Sequence, residues 1–402
     1  LGPDWASLVL PGAARICLLV LDGIGDTPRP EVGGITPLEA ARTPHLDRLA
    51  REGVGGLVWP VVPGATPSSV SGHLGLLGYD PLETEIGRGA VEALGVGLDL
   101  REGEVAARAN FATLSDGVVA DRRAGRMPTE KTAELCQLIN RETGMVDGVE
   151  VILYPVRQHR AVAVFRGEGL DPSLSDTDPG RTGEPPRPAQ PLSPEAERTA
   201  RLVNAYLSRV AELLRGRHPA NCLLLRGFAG KPRIRPFGER FGLRGAALAS
   251  YPAYRGIARA LGLEVPEEPG DLRGCFEAYR RRKKDYDFFF IHYKDPDPAG
   301  EDGDFQAKVR AIERLDHALP LLLEDPPEVL AVTGDHSTPC SLRAHSWHPV
   351  PVIIHSPATW GPDAVSRFTE RECARGILGR LRGVELLPLL LASSGRTRKF
   401  GT

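Results

Sequence analysis

No C-x-x-C pair occurs in this chain: Cys17, Cys136, Cys222, Cys275, Cys340 and Cys373 lie far apart, most of them inside apolar runs. That spacing argues against a zinc knuckle or a disulfide framework and for buried free thiols, hence for a reducing, cytoplasmic compartment. Neither sign of charge prevails. With 50 Lys and Arg against 52 Asp and Glu, the formal net charge is −2, so the basic footprint of a nucleic-acid binder, an anchor for acidic lipid and a charged disordered tail are all missing. Long apolar runs are missing too. The first candidate, Ser7–Leu21, is broken by Pro11, Gly12 and Arg15, which disqualifies it as a spanning helix or a secretory signal. Internal repeats are absent. These absences leave a globular chain whose partner is a small molecule, neither nucleic acid nor membrane, with its oligomeric state open. At 402 residues it exceeds what one core usually organises, so two domains, or one with a large insertion, are expected.

What is there begins with buried strands. Arg15–Asp22 (RICLLVLD) is a continuous apolar run that ends at a carboxylate and turns at Gly23, as a parallel strand covered on both faces would. Tyr286–His292, Val329–Asp335 and Val350–His355 read the same way, and open α/β sheets place ligands beyond such carboxyl ends. Between them, Asp304–Leu323 carries Phe305, Val309, Ile312 and Leu315 on one face, which predicts an amphipathic helix with Asp316 and His317 at its surface. The middle third differs in texture. Short alternating runs at Glu150–Tyr154 and Ala161–Phe165 precede a proline-rich loop, Asp176–Pro194. Ser193-Pro194-Glu195 then opens a helix running to about Arg215, and Asn221–Arg226 returns to strand. The fold class expected is α/β: a mostly parallel sheet flanked by helices, residues 1–102 and 239–402, interrupted by a smaller inserted α+β domain at 103–238.

Ligand-type residues gather after the predicted strands: Asp22, then Asp297 with Glu301, then Asp335 and His336, and finally His345. Imidazole nitrogen with carboxylate oxygen suits divalent ions, and two such ions can clamp both the entering and the leaving oxygen of a phosphoryl group. Singly, each has an ordinary explanation as a cap or a core histidine; as a set at four strand ends, without a cation, they would leave crowded, desolvated charge. The segment Thr66–His73 (TPSSVSGH) adds a hydroxyl in a turn, where direct coordination to a divalent ion would favour the alkoxide without a histidine base.

At these residues the chain resembles the cofactor-independent phosphoglycerate mutases, especially the shorter archaeal-type branch within the alkaline phosphatase superfamily. The resemblance spans nearly the whole sequence, through LDGIGD at 21–26, TPLEAARTPHLDRLA at 36–50, HLGLLGYDP at 73–81, GRGAVEALGVG at 87–97, RANFAT at 108–113, DRRAGR at 121–126, SDTDP at 175–179, HYKDPDPAGEDGDF at 292–305 and TGDHSTPCS at 333–341. It implies an alkaline-phosphatase-like fold and exchange of a phosphate between the 2- and 3-hydroxyls of glycerate through a phosphoserine at Ser69, with no 2,3-bisphosphoglycerate required. It further implies Asp22, Ser69, Asp335 and His336 on one metal and Asp297, Glu301 and His345 on the other, manganese being the usual ion and magnesium, cobalt or zinc the alternatives. Arg122, Arg123, Arg126, His159, Arg160 and Arg226 are the candidates for holding substrate carboxylate and phosphate.

Three positions depart from the family pattern. Glu301 stands where histidine is common, which tilts the donor set toward hard oxygen and toward manganese or magnesium. Val70 stands where an acid is frequent. Arg255, expected to act in catalysis, stands where a lysine often contacts the transferring phosphate, and the two cations differ in reach. The alternative reading is a metal-dependent phosphohydrolase or phosphotransferase of the same superfamily acting on another small phosphate ester; the inserted domain favours the mutase, which must exclude water from its phosphoserine. A binder without turnover is the third reading, against which stands the retention of Ser69 beside every proposed ligand.

Overall fold

The computed structural model describes residues 3–356 and 361–401. Its strands are, in chain order, β1 (Ile16–Leu21), β2 (Val54–Trp59), β3 (Val105–Ser115), β4 (Val118–Asp121), β5 (Met145–Val146), β6 (Val149–Arg157), β7 (Arg160–Arg166), β8 (Cys222–Ala229), β9 (Gly245–Ala249), β10 (Phe288–Tyr293), β11 (Val329–Thr333), β12 (Val350–His355) and β13 (Gly379–Arg382).

Two compact units share the chain: Leu1–Glu85, Ile234–Tyr251 and Leu261–Thr402 form the first, Ile86–Arg233 and Pro252–Ala260 the second. Against the expected division at 102 and 238, the second unit also takes in helix Arg88–Gly95 and reclaims helix Pro252–Ala260. The reason is a close helix contact through glycines. A Cβ on Gly256 would lie 2.0 Å from the Val91 carbonyl oxygen, and one on Gly95 would lie 2.5 Å from that of Pro252, so these helices are packed as a pair.

In the first unit the strands run in the order β13-β2-β12-β11-β1-β10-β9. The neighbours β9, β10, β1 and β11 are all parallel, and every residue of β1 and β10 is buried, as a sheet covered on both faces requires. Here one expectation is corrected. Val350–His355 is a strand, but β12 pairs antiparallel to both β11 and β2, so its beginning, not its end, lies at the edge where β1, β10 and β11 finish. Hydrophobic run length carries no direction, and the connection from β11, residues 334–349, holds no crossover helix, so the chain can return antiparallel.

The amphipathic helix forms over Phe305–Ala318, with the Asp304 side chain accepting from the Ala307 N–H at its start. Pro320 ends it, and a separate short helix, Pro320–Leu323, follows. Asp316 is not a surface residue: it is 2 % exposed and accepts from the Leu46 N–H at 2.8 Å, the His45 N–H at 3.1 Å and His45 Nδ1 at 2.9 Å. Its carboxylate satisfies the opening N–H groups of helix Pro44–Glu52, where negative charge is favoured. His317 is exposed as expected.

The second unit is built on an antiparallel sheet, β4-β3-β7-β6-β5, with β8 also paired to β3. Helices Thr129–Thr143 and Glu197–Leu214 supply Cys136, Ile139, Val203, Tyr206 and Val210 to a core shared with Phe111, Ala163 and Phe165 of the sheet. All six cysteines are free and buried. Among the described residues no helix is long and apolar enough to cross a membrane.

Candidate metal centre and arginine cavity

Three adjacent parallel strands, β11, β1 and β10, deliver carboxylates to one rim. Asp22 follows β1 directly, Asp335 lies two residues beyond β11, and Asp297 sits in helix Pro296–Asp302 after β10. The Asp22 N–H donates to the Tyr293 carbonyl at 2.9 Å, which locks the first loop to the third. Gly23 allows the rest: at φ +62 it turns the chain, and a Cβ there would lie 2.6 Å from Thr338 Oγ1 and 2.7 Å from Asp297 Oδ1.

His336 Nε2 lies 3.4 Å from Asp22 Oδ1 and 3.2 Å from Asp335 Oδ2. All three atoms are buried and none has a hydrogen-bond partner. Converging buried atoms of this kind carry a large desolvation cost unless a cation satisfies them, and two carboxylate oxygens with one imidazole nitrogen form a donor set suited to a divalent ion. A second group of one donor atom each from Asp297, His336 and His345 lies within 4.8 Å, with the His336 and His345 rings stacked at 3.6 Å between centroids. His336 therefore belongs to both groups.

Surrounding hydrogen bonds orient the donors. The Thr338 hydroxyl donates its one proton to Asp297 Oδ1 at 2.7 Å and lies 3.0 Å from His336 Nδ1, so it accepts from that nitrogen and leaves Nε2 as the atom turned toward Asp22 and Asp335, whose proton a divalent ion would displace. His345 Nδ1 donates to the Pro67 carbonyl at 3.0 Å, which leaves Nε2 facing Asp297 Oδ1 at 3.7 Å. Burial opposes charge on His336, yet Asp335 and Asp22 outweigh it and push the imidazole up to about 9. Asp22 is held well below the carboxylate range, against its burial, by Lys294 and His292.

Ser69 opens helix Ser69–Leu76, whose N-cap Ser68 forms a capping box with Ser71. The segment is tied to the acidic cluster at both ends. Pro67 accepts from His345, while His73 Nδ1 donates to the Ser69 carbonyl at 2.7 Å and lies 3.3 Å from Asp335 Oδ2. Glu301 is exposed and falls outside both donor groups; burial, then Asp297, raises its carboxyl. Val70, half-buried, follows Ser69 on the helix. Arg255 is 7 % exposed on helix Pro252–Ala260 of the second unit.

The sequence reading passed over Lys294, His292 and His73. Lys294 Nζ lies 3.1 Å from Asp22 Oδ2 and 2.7 Å from Asp297 Oδ2, a cation between the two carboxylate-bearing loops. His292 Nε2 donates to Asp22 Oδ2 at 2.9 Å, and its burial, against the pull of Asp22, lowers it to about 4. The HYKDPD run contains His292 and Lys294, and its place at a strand's carboxyl end was the available signal.

In the second unit, all six residues proposed from sequence to hold substrate line one cavity of about 290 Å³: Arg122, Arg123, Arg126, His159, Arg160 and Arg226, joined by Arg108, Asn110 and Gln158. Asp178 fixes Arg122 through a two-point pair, Nε to Oδ1 at 3.0 Å and Nη2 to Oδ2 at 2.7 Å, and lies 3.6 Å from Arg226. Burial, then Arg160, Arg123 and Arg108, lowers His159 to about 4, so it is neutral at pH 7. Arg126 and Gln158 take left-handed backbone angles, φ 52° and 50°, which costs energy for residues with a Cβ and is common at binding sites. The lining is mostly guanidinium, a composition that suits an anion.

Residues 50–221 match the family model of 2,3-bisphosphoglycerate-independent phosphoglycerate mutase. A probable 2,3-bisphosphoglycerate-independent phosphoglycerate mutase of Thermus thermophilus is 50% identical over 392 residues, covering 96% of each chain. The chain belongs to this family. Two solved structures share its architecture across nearly the whole length: a cofactor-independent phosphoglycerate mutase from Thermoplasma acidophilum, 34% identical with a TM-score of 0.70 over 95% of this chain and 100% of that one, and a Pyrococcus horikoshii protein, 32% identical with a TM-score of 0.83 over 97% and 99%. The acidic cluster falls outside the segment matched by the family model and the arginine cavity mostly inside it.

Proposed function

We propose that the chain interconverts 2-phosphoglycerate and 3-phosphoglycerate without 2,3-bisphosphoglycerate, carrying the phosphoryl group on Ser69. The observation that carries this reading is the buried, hydrogen-bond-free set of Asp22 Oδ1, Asp335 Oδ2 and His336 Nε2, held beside the segment that bears Ser69. Asp22, Asp335 and His336, with Ser69, would hold one divalent ion; Asp297 and His345, with Glu301 at the edge, would hold the other, and the oxygen-rich set favours manganese. Bound there, divalent ions lower the pKa of a coordinated hydroxyl and neutralise phosphoryl oxygens.

The chain's own residues do the rest. Ser69 Oγ gains the bond to phosphorus as the ester bond to one glycerate oxygen breaks; that oxygen leaves as a hydroxyl, and the reverse transfer to its neighbour regenerates Ser69. His73, bonded to the Ser69 carbonyl and set against Asp335, fixes where the serine stands. Lys294, set between Asp22 and Asp297, would offer a cation to the moving phosphoryl oxygens. The arginine cavity binds carboxylate or phosphate in the fork geometry that guanidinium favours, with His159 as a neutral hydrogen-bonding group.

The test is a coupled assay with manganese and 3-phosphoglycerate, with and without 2,3-bisphosphoglycerate. Equal activity in both is expected, and Ser69→Ala should lose it by at least a thousandfold, as removal of a nucleophile does. Release of inorganic phosphate in place of 2-phosphoglycerate would replace this reading with the hydrolase; full activity in the serine variant would end the phosphoserine route.

A further inference from the structure

Lys308 is fully buried, lies on helix Phe305–Ala318 and lines neither donor group. An ammonium without water must have each of its three protons accepted. It donates to the Gly25 carbonyl at 3.0 Å, to Asp26 Oδ2 at 2.9 Å and to the Thr338 carbonyl at 2.9 Å. Two of these acceptors belong to the loop that Asp22 begins, and the third to the loop carrying Asp335 and His336. Those loops already meet closely: the Thr338 N–H donates to the Gly25 carbonyl at 3.0 Å, and Ile24 and Gly25 bridge to Ser337.

The contact reaches further through Thr338. Its carbonyl accepts from Lys308, while its hydroxyl donates to Asp297 Oδ1 and accepts from His336 Nδ1. Asp26 is bound in turn: it accepts from the Cys340 N–H at 3.1 Å, and its own N–H donates to half-buried Glu370 at 3.1 Å. Helix Phe305–Ala318 itself begins just after helix Pro296–Asp302, which carries Asp297. One ammonium thus ties together the loops after β1 and β11 and, through Thr338, the helix after β10.

We propose that Lys308 is a positioning residue for the metal centre, setting the separation of Asp22, His336 and Asp297 without touching ion or substrate. The inference rests on the reading that these residues hold divalent ions. Lys308→Met removes the ammonium but strands the Asp26 carboxylate, which can unfold the chain; Lys308→Met with Asp26→Asn removes both buried charges and leaves only the pin missing.

The experiment is manganese titration of chelator-treated protein by calorimetry, with folding followed by circular dichroism and kcat and KM measured against manganese concentration. The parent is expected to bind, and the folded double variant to bind about tenfold to a hundredfold more weakly, the range for outer partners of metal ligands. Its kcat should recover at high manganese while KM for phosphoglycerate stays within about twofold, a split that general loosening would not give. A folded double variant with parental manganese affinity overturns the inference. Failure of both variants to fold also overturns it, since Lys308 would then specify the fold and not the site. A parent that binds no manganese would sink the metal reading itself, a different result from either.

Discussion

Gly72 offers the sharpest test of how the nucleophile is placed. It lies on helix Ser69–Leu76 against the backbone of Asp335, and an added Cβ would stand 2.1 Å from the Asp335 carbonyl oxygen, 2.9 Å from its carbonyl carbon and 3.1 Å from its Cβ. Real contacts of this kind hardly fall below about 3 Å, so Gly72→Ala must open roughly 1 Å between the helix and the loop that carries Asp335 and His336. Neither side is a flexible side-chain tip that could swing away. Overpacking of this kind costs about 1–3 kcal/mol of stability, and a 1 Å misplacement of reacting groups costs about a hundredfold in rate. We therefore expect Gly72→Ala to fold, melt lower and lose about a hundredfold in kcat, with KM nearly unchanged because the arginine cavity belongs to the other unit. Gly270→Ala is the control: nothing lies within 4 Å of its added Cβ and its φ is not left-handed, so it should match the parent. A Gly72→Ala enzyme with parental kcat would refute the claim that this contact sets the position of Ser69.

Glu370 is driven up from 4.5 to about 7 by burial, against the donors Thr36 and Asp26. A raised acid leaves stability unaffected below about pH 4.5; between 4.5 and 7 the unfolded chain ionises while the folded one keeps its proton, so about 3 kcal/mol is lost and the curve is flat above. Glu370→Gln should escape that loss, and a difference in denaturation midpoint that does not change between pH 4 and pH 8 would contradict it. Asp178→Asn weakens the two-point hold on Arg122, so KM for phosphoglycerate should rise about tenfold with kcat within about twofold; an unchanged KM would remove Arg122 from substrate binding.

Much of the candidate site was legible because its proposed ligands follow apolar runs. A strand covered on both faces announces itself by length, and a carboxylate at its carboxyl end has few structural excuses, so Asp22, Asp297 and Asp335 could be named together. The arginines followed from their family-like motifs, and the cavity gathers all six proposed residues. Other features depend on partners far away in sequence. The burial of Asp316 is decided by the start of a helix 270 residues earlier, and that of Lys308 by carbonyls on two loops. Lys294 and Arg108 look like ordinary surface charge until the acids beside them are known; Arg108 is lowered to about 10 by burial, which its ion partner Glu92 only partly offsets. Strand direction was equally hidden, since β12 reads the same forwards and backwards in hydrophobicity.

The helix pair joined through Gly256 and Gly95 bears on how the protein is made. A ribosome releases Ile86–Arg233 well before Pro252–Ala260, so the glycine-lined face of helix Arg88–Gly95 must wait, uncovered, while strand β9 of the other unit is synthesised. Cutting out 86–233 for study would leave that face permanently without its cover. The smaller unit is thus not a detachable cassette, because its last piece is stored inside its neighbour's sequence.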